Sequence, residues 1–399
     1  MANDILLRGV RPFGKDQTDM LIRDGRIAQI APNLPEQLGI KEEHCGGAIL
    51  LPGLVEAHTH LDKSLWGMGW REHQAGPSLR DKIDNERRLR REWDIDPHRQ
   101  SMRQALLSLG HGSTAIRSHV DVDTKVGLAG IEGVARTREE LAGLVDIEIV
   151  AFPQSGLMSR PGTLELLDKA LRGAADVVGG LDPCGIDADP KGQLDAIFEL
   201  ADRHGKPLDI HLHEPGELGA FSMEMILERT HAMGMQGKVT ISHAFCLGMP
   251  DRDRARALIE ELAESQVHIA TVATPSRPVP LVEDLRAAGV TLCAGSDGIR
   301  DTWGPYGNAD MLERAMLLGL RNNLRADRDV EHALWCCSHG GARVMGLKDY
   351  GLDAGCRADL VLVDAETVTH AVVAHPPRKL VLKEGRVVAR GGLSLREAP

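Results

Sequence analysis

The chain has 399 residues, of which 42% are hydrophobic and 26% charged, and its formal net charge is −11. This composition is typical of a globular protein, and the negative charge argues against binding to nucleic acid or to an anionic membrane surface. The sequence shows no secretion signal and no apolar run of about 18 residues, and its cysteines lie mostly in apolar runs, so we expect a cytoplasmic protein with reduced thiols.

Both ends of the chain show the pattern of a β-hairpin. Residues 19–32 and 379–392 alternate apolar and polar positions around a turn made of a charged residue, glycine and arginine, and a further strand is predicted over 358–366. Because such strands must bury one face, we predict that residues 1–52 and 346–399 meet in one small β-sandwich domain.

The main domain is predicted over residues 53–345, where strand-like and helix-like segments alternate. Eight strands that alternate with helices predict an α/β fold of the (β/α)8 TIM-barrel type. The segment 66–93, which follows the first strand, is predicted to be an exposed lid or helix. The eight predicted strands cover residues 54–60, 113–121, 146–154, 177–183, 208–214, 239–245, 268–274 and 291–297.

Residues that bind metals or transfer protons stand at the ends of four of these strands. Catalytic groups of TIM barrels lie at the C-terminal ends of the strands, and residues two apart on a strand point to the same side, so His58 and His60 can reach one ion. Three imidazoles and a carboxylate with an open position form the donor set of a catalytic divalent metal. The residues are His58, His60, His211, Glu214, His243 and Asp297.

The same residues predict how a hydrolase reaction would proceed. A metal ion activates water at neutral pH, Asp297 can ligate the ion and accept the proton of the water, and Glu214 can carry that proton to a substrate nitrogen. His243 would polarise the attacking water or stabilise the developing oxyanion. No serine or cysteine nucleophile is paired with a base, which favours direct attack by water.

These motifs resemble the amidohydrolase superfamily and, more narrowly, the cytosine deaminase and N-isopropylammelide isopropylamidohydrolase families. The likeness covers nearly the whole chain and is carried by His-Thr-His at 58–60, His-x-x-Glu at 211–214, Ser-His-Ala at 242–244 and Ser-Asp at 296–297. It implies a homo-oligomer with one divalent ion, Zn²⁺ or Fe²⁺, in each chain. The fourth predicted strand has no lysine of the kind that two-metal members use. The implied ligands are His58, His60, His211 and Asp297.

The resemblance also implies substrate contacts. Gln154 would hydrogen-bond the substrate ring, Trp303 would pack on it, and Lys63 matches a lysine of the isopropylammelide enzymes. Those enzymes place a catalytic histidine where this chain has His213, beside Glu214. At position 298 the cytosine deaminases have a second aspartate, whereas this chain has glycine.

Two substrate classes follow from these matches. We expect removal of an exocyclic amino group from a nitrogen heterocycle, with a cytosine-like pyrimidine first and an N-alkylamino-s-triazine of the N-isopropylammelide type as the alternative. A cyclic-amide hydrolase and a non-catalytic scaffold are further alternatives. His119, on the second predicted strand, is expected to be structural.

Overall fold

The computed structural model describes residues 4–398. Its strands are β1 Ile5–Pro12, β2 Thr18–Arg23, β3 Arg26–Ala31, β4 Lys41–His44, β5 Ile49–Pro52, β6 Leu54–Thr59, β7 Ser113–Asp121, β8 Asp146–Phe152, β9 Val177–Leu181, β10 Leu208–His211, β11 Val239–Ser242, β12 His268–Thr271, β13 Leu292–Ala294, β14 Leu360–Val363, β15 Arg378–Lys383, β16 Arg386–Arg390 and β17 Leu393–Ser394.

The helices follow the strands of the central sheet. They are α1 Leu79–Glu92, α2 Pro97–Gly110, α3 Ala129–Glu140, α4 Thr163–Arg172, α5 Pro190–His204, α6 Gly216–Ala232, α7 Arg252–Glu264, α8 Val282–Ala288, α9 Met311–Arg321, α10 Asp327–Trp335, α11 Gly341–Val344 and α12 Val368–Ala374. None of the helices in the described part of the chain is both long and apolar enough to span a membrane.

Strands β6 to β13 form the predicted barrel. They lie in sequential order in one parallel sheet, and the sheet closes where Thr59 pairs with Asp297. At this seam the backbone N–H of Asp297 donates to the carbonyl oxygen of His58 over 2.9 Å. Helices cover the outer face, so the barrel strands are buried on both sides. This burial explains why the strands consist largely of apolar residues. The TIM-barrel prediction is confirmed.

Several predicted strands extend too far at their C-terminal ends. β10, β11 and β12 each end three residues before the predicted limit. His243 and Asp297 adopt positive φ angles of 70° and 62°, which belong to the left-handed region and not to a strand. The chain therefore turns at these points, and the polar residues that the sequence placed on strands lie in the turns above the barrel.

A second sheet contains strands from both ends of the chain. Its order is β17-β16-β15-β14-β5-β1-β2-β3, and β4 also pairs with β1, in parallel. The link between the ends is the antiparallel pairing of β5 with β14, and Leu7, Met20, Leu360 and Leu382 are buried in its core. The predicted terminal β domain is confirmed, and its limits at residues 52 and 346 stay a prediction.

The segment 66–93 ends in helix α1, which begins with a capping box between Ser78 and Asp81. The helix buries two charged residues, Glu86 and Arg90, together with Ile83 and Leu89. The side chain of Arg90 donates to Asp62 over 2.8 Å and to Asp121 over 2.7 Å. α1 is therefore held to the barrel by buried ion pairs, which a freely exposed lid would lack.

Candidate active site

The predicted metal ligands converge above the C-terminal ends of the barrel strands. His58 and His60 come from the end of β6, His211 ends β10 and Asp297 follows β13. The nearest oxygen of Asp297 lies 3.2 Å from His60 Nε2 and 3.8 Å from His58 Nε2. Donor atoms of His58, His211 and His243 also lie within 4.8 Å of one another. The ends of four strands thus bring the five side chains into two overlapping groups that share His58, one with His211 and His243 and the other with His60 and Asp297.

Buried nitrogens without partners show that this cluster fits a divalent ion. His58 Nε2 and both ring nitrogens of His211 and His243 have no hydrogen-bond partner among the described residues. Buried polar atoms in proteins are almost always paired, so several unpaired nitrogens that lie close together indicate a site that can bind a cation. Imidazoles beside one carboxylate match the donor preference of zinc and of ferrous iron.

The electrostatics suit metal binding. Burial lowers the pKa of His58 to about 3 and holds the pKa of His211 and His243 well below the usual value. Burial acts to raise the pKa of Asp297, but the hydrogen bond with His60 and the positive charge that the histidines acquire when they protonate at low pH hold that pKa well below its usual range. At neutral pH the site therefore presents His58, His211 and His243 as neutral imidazoles and Asp297 as an ionised carboxylate.

A hydrogen-bonded chain through the barrel interior orients His58. Ser242 Oγ donates to Asp209 over 2.6 Å, and His58 Nδ1–H donates to Ser242 Oγ over 2.9 Å. Arg117 donates to the other oxygen of Asp209 over 2.9 Å. Because Nδ1 carries the proton, the lone pair of His58 is on Nε2, which faces the cluster. Neither Ser242 nor Asp209 is assigned a site role from the sequence, because both look like ordinary strand residues.

Replacing Ser242 by alanine should weaken metal binding about tenfold, since the partner that fixes the His58 tautomer is lost. The measurement is competition for the ion with a chelator of known affinity. Ser108→Ala is the matched control, because the Ser108 hydroxyl is also buried and has no hydrogen-bond partner among the described residues. Equal metal affinity in the two variants would contradict the orienting role of Ser242.

His213 is paired with a buried carboxylate. Its Nδ1–H donates to Asp182 over 2.7 Å, and its backbone N–H donates to the other Asp182 oxygen over 2.6 Å. Burial acts to lower the pKa of His213, but Asp182 outweighs it and raises that pKa above the usual value. The ring stacks on His243 with 4.3 Å between centroids. An imidazole held in this way can donate and recover a proton through Nε2.

Glu214 also lies at the cavity, but its carboxylate is occupied. One oxygen accepts the backbone N–H groups of Cys184 and Gly185 over 2.9 and 2.6 Å, and the other accepts the hydroxyl of Ser222. Burial raises the pKa of Glu214. These contacts tie the loop after β9 to helix α6, so the geometry favours an anchoring role for Glu214. Its predicted role as a proton carrier stays a prediction.

The three predicted substrate contacts form a connected group with Glu86. Lys63 Nζ donates to Glu86 over 3.2 Å, to Asp121 over 3.1 Å and to Gln154 Oε1 over 2.9 Å. The indole N–H of Trp303 donates to the same Glu86. Of the three, Trp303 lines the cavity beside the proposed metal ligands, whereas Lys63 and Gln154 do not. Glu86 was missed because it lies in a charged helical run that resembles a solvated face.

His119 has no hydrogen-bond partner for either ring nitrogen among the described residues. Its ring packs 4.1 Å from that of His58, and its carbonyl oxygen accepts His60 Nδ1–H over 2.9 Å. His119 thus supports two predicted ligands through its backbone and its ring.

A cavity of about 420 Å³ opens beside the cluster. This volume is in the range of small-molecule sites and accommodates one substituted six-membered ring. Its wall includes Asp182, His213, His243, Phe245, Asp297 and Trp303.

Comparison with known proteins identifies relatives over the whole chain. The model of the Amidohydrolase family matches residues 42–389. The chain is 32% identical over 394 residues to the N-isopropylammelide isopropyl amidohydrolase of Pseudomonas sp. (strain ADP), covering 97% of both chains. It is 51% identical to N-isopropylammelide isopropylaminohydrolase from Burkholderia multivorans ATCC 17616, a crystal structure that it matches with a TM-score of 0.95 over 98% of this chain and 100% of that one.

A deaminase is structurally similar at lower identity. The crystal structure of 5-methylcytosine deaminase from Klebsiella pneumoniae, liganded with 5-fluorocytosine, is 26% identical, with a TM-score of 0.85 over 99% of this chain and 98% of that one.

Proposed function

The chain belongs to the amidohydrolase family, whose members are metal-dependent hydrolases, and from this premise we propose that it hydrolyses the exocyclic C–N bond of an N-alkylamino-s-triazine of the N-isopropylammelide type. The observation that carries the proposal is the pair of His213 and Asp182 on the cavity wall. It supplies a proton carrier whose Nε2 makes no hydrogen bond within the described residues 4–398. The carboxylate of Glu214, in contrast, is engaged by three donors.

The environment of Gly298 supports the triazine over the pyrimidine. Glycine at this position removes the aspartate implied for cytosine deaminases, and a Cβ atom here would lie 1.9 Å from Asp301 Oδ2, so a side chain could enter only if the Asp301 carboxylate moved. The carboxylate of Asp301 accepts the backbone N–H groups of Trp303 and Gly304 and is engaged within its own loop. The similarity to the two N-isopropylammelide enzymes points the same way, so the alternative from the sequence replaces cytosine as the leading substrate.

We assign the ion to His58, His60, His211 and Asp297, with one Zn²⁺ or Fe²⁺ in each chain, since both suit nitrogen and oxygen donors. When bound there, the ion supplies Lewis acidity and lowers the pKa of water toward about 7. Which metal is native, and whether the chain forms a homo-oligomer, remain predictions.

Different side chains carry out the proton transfers and stabilise the developing charge. The Asp297 carboxylate accepts a proton from the attacking water, while His243 offers a ring N–H to the oxygen that gains negative charge. His213 enters the step as an imidazolium stabilised by Asp182, and its Nε2–H protonates the leaving nitrogen. The proton that Asp297 takes from the water then replaces the one that His213 has given up, so both side chains return to their starting forms. A C–O bond forms, the exocyclic C–N bond breaks, and one water is consumed for each free amine and ring carbonyl produced.

The test is a product assay with the metal-loaded protein. N-isopropylammelide, cytosine, 5-methylcytosine and a cyclic amide such as dihydroorotate are offered in parallel, and amine, ammonia and ring-opened acid are measured separately. We expect isopropylamine from the triazine at a kcat/KM at least about a hundredfold above that of any pyrimidine. If ammonia is released from cytosine faster than isopropylamine is released from the triazine, the protein is a cytosine deaminase. A ring-opened acid would indicate a cyclic-amide hydrolase.

A further inference from the structure

Three cationic side chains line the cavity beside the proposed catalytic residues. Arg80 and Lys82 stand in the first turns of α1, and Arg277 lies in the loop between β12 and α8. No ion pair joins any of them to a carboxylate of the described residues; Arg80 donates to the carbonyl oxygen of Ile186 over 3.3 Å. The side chains of Arg80 and Arg277 are exposed, and that of Lys82 is half-buried.

The carboxylates of the same cavity do not neutralise these cations. Asp182 is bonded to His213, and Glu214 accepts two backbone N–H groups and a hydroxyl. Asp297 lies 3.2 Å from His60 Nε2 and is assigned to the ion. The chain as a whole carries a formal charge of −11. A group of cations without carboxylate partners at this cavity is therefore opposite in sign to the net charge of the protein. Such a group raises the local concentration of anions.

Two of the cations lie against aromatic rings of the cavity wall, and one of these rings packs against the catalytic histidines. Lys82 Nζ is 5.8 Å from the centroid of the Trp303 ring, and the Arg277 guanidinium is 5.8 Å from that of Phe245. Phe245 in turn packs 5.9 Å from His213 and 5.5 Å from His243, measured between ring centroids. A planar substrate lying between the aromatic rings and the histidines would therefore have positive charge along its outer edge.

We propose that Arg80, Lys82 and Arg277 form an anion subsite, and that the substrate is an s-triazine carrying a negative charge; the substrate part of this proposal rests on the proposed function. Two sources supply that charge. A ring N–H flanked by two carbonyl groups is acidic, because its conjugate base is delocalised over both oxygens, and an N-alkyl substituent can carry a carboxylate. In either case the cations bind the charge, while the exocyclic C–N bond remains at the metal ligands.

The test compares charged and neutral probes by calorimetry on the metal-loaded protein, so its readout does not require turnover. The first probe is trioxo-s-triazine at a pH at which it is singly ionised, and its neutral counterpart is the tri-N-methylated ring. The second pair is an s-triazine with a carboxymethylamino group and its methyl ester. We expect tighter binding of the anion in at least one pair, and the pair that shows it identifies the source of the charge.

The double variant Lys82→Gln, Arg277→Gln should weaken binding of that anion about tenfold and leave the neutral probe unchanged. Lys238→Gln is the control for a general change of charge, since Lys238 is exposed and does not line the cavity. With any substrate that is turned over, the double variant should raise KM more than it lowers kcat.

Equal affinity for charged and neutral probes, or an equal loss in Lys238→Gln and the double variant, would overturn the anion subsite. Failure of the proposed function looks different: no amine is released from an N-alkylaminotriazine while the anion still binds and still depends on Lys82 and Arg277. That outcome would support the anion subsite and indicate that its ligand is another anionic heterocycle.

Discussion

His213→Gln should lower kcat about a thousandfold and change KM little, because the imidazole that protonates the leaving nitrogen is lost while the cavity keeps its shape. Asp182→Asn should cost about a hundredfold, since an amide cannot stabilise the imidazolium that His213 forms. The measurement is the steady-state rate of amine release, with metal content and thermal unfolding recorded for each variant. Unchanged metal content would separate the loss from damage to the neighbouring ligand His211.

The matched control is Glu214→Gln. The amide oxygen of glutamine can still accept the N–H groups of Cys184 and Gly185, so the loop after β9 stays anchored and kcat should fall less than about tenfold. A thousandfold loss in Glu214→Gln with near-normal turnover in His213→Gln would contradict the assignment. It would return the proton transfer to Glu214, as the His-x-x-Glu spacing alone predicts.

Asp297→Asn should abolish metal retention and reduce activity to below about a thousandth of the wild-type value, since this change removes the only anionic ligand of the proposed set and the base for the attacking water. Metal content by elemental analysis and the rate of amine release are measured on the same samples. Removing the ion from the wild-type protein with a chelator should give the same loss of activity.

Reloading the chelated wild-type protein should restore activity in proportion to metal added, with a break at about one ion per chain. Asp301→Asn is the control, because this buried aspartate follows the proposed ligand closely in sequence but binds backbone N–H groups of its own loop. A break at two ions would contradict the single-ion site, and full activity in Asp297→Asn would remove Asp297 from the ligand set.

The barrel was predictable from the sequence because a parallel strand covered on both faces is a short apolar run, and such runs alternate with helical spacing. The terminal sheet was predictable for a similar reason, since its hairpins alternate apolar and polar residues. The ends of β10, β11 and β12 were not. Apolar residues such as Leu212, Phe245 and Val272 continue across the point where the chain turns. Only backbone angles such as the positive φ of His243 mark the turn.

The proposed metal ligands could be selected from the sequence because histidine and aspartate at the ends of predicted strands are residue types that bind metals. The partners of those residues could not. Asp182 acts through two hydrogen bonds from His213, and Glu86 acts through Lys63 and Trp303. Neither contact leaves a periodic signal, because each joins segments that are far apart in the chain. For the same reason the sequence favoured Glu214 as the proton carrier, since the donors that engage its carboxylate come from a distant loop and from helix α6.

The central claim is that water attacks the ring carbon and that the exocyclic C–N bond breaks. The most direct measurement is turnover of N-isopropylammelide in ¹⁸O-labelled water, followed by mass spectrometry of both products. The account predicts one ¹⁸O atom in the ring product and unlabelled isopropylamine. Label in isopropanol, which would mean cleavage between nitrogen and the alkyl group, or label in a ring-opened acid would contradict it.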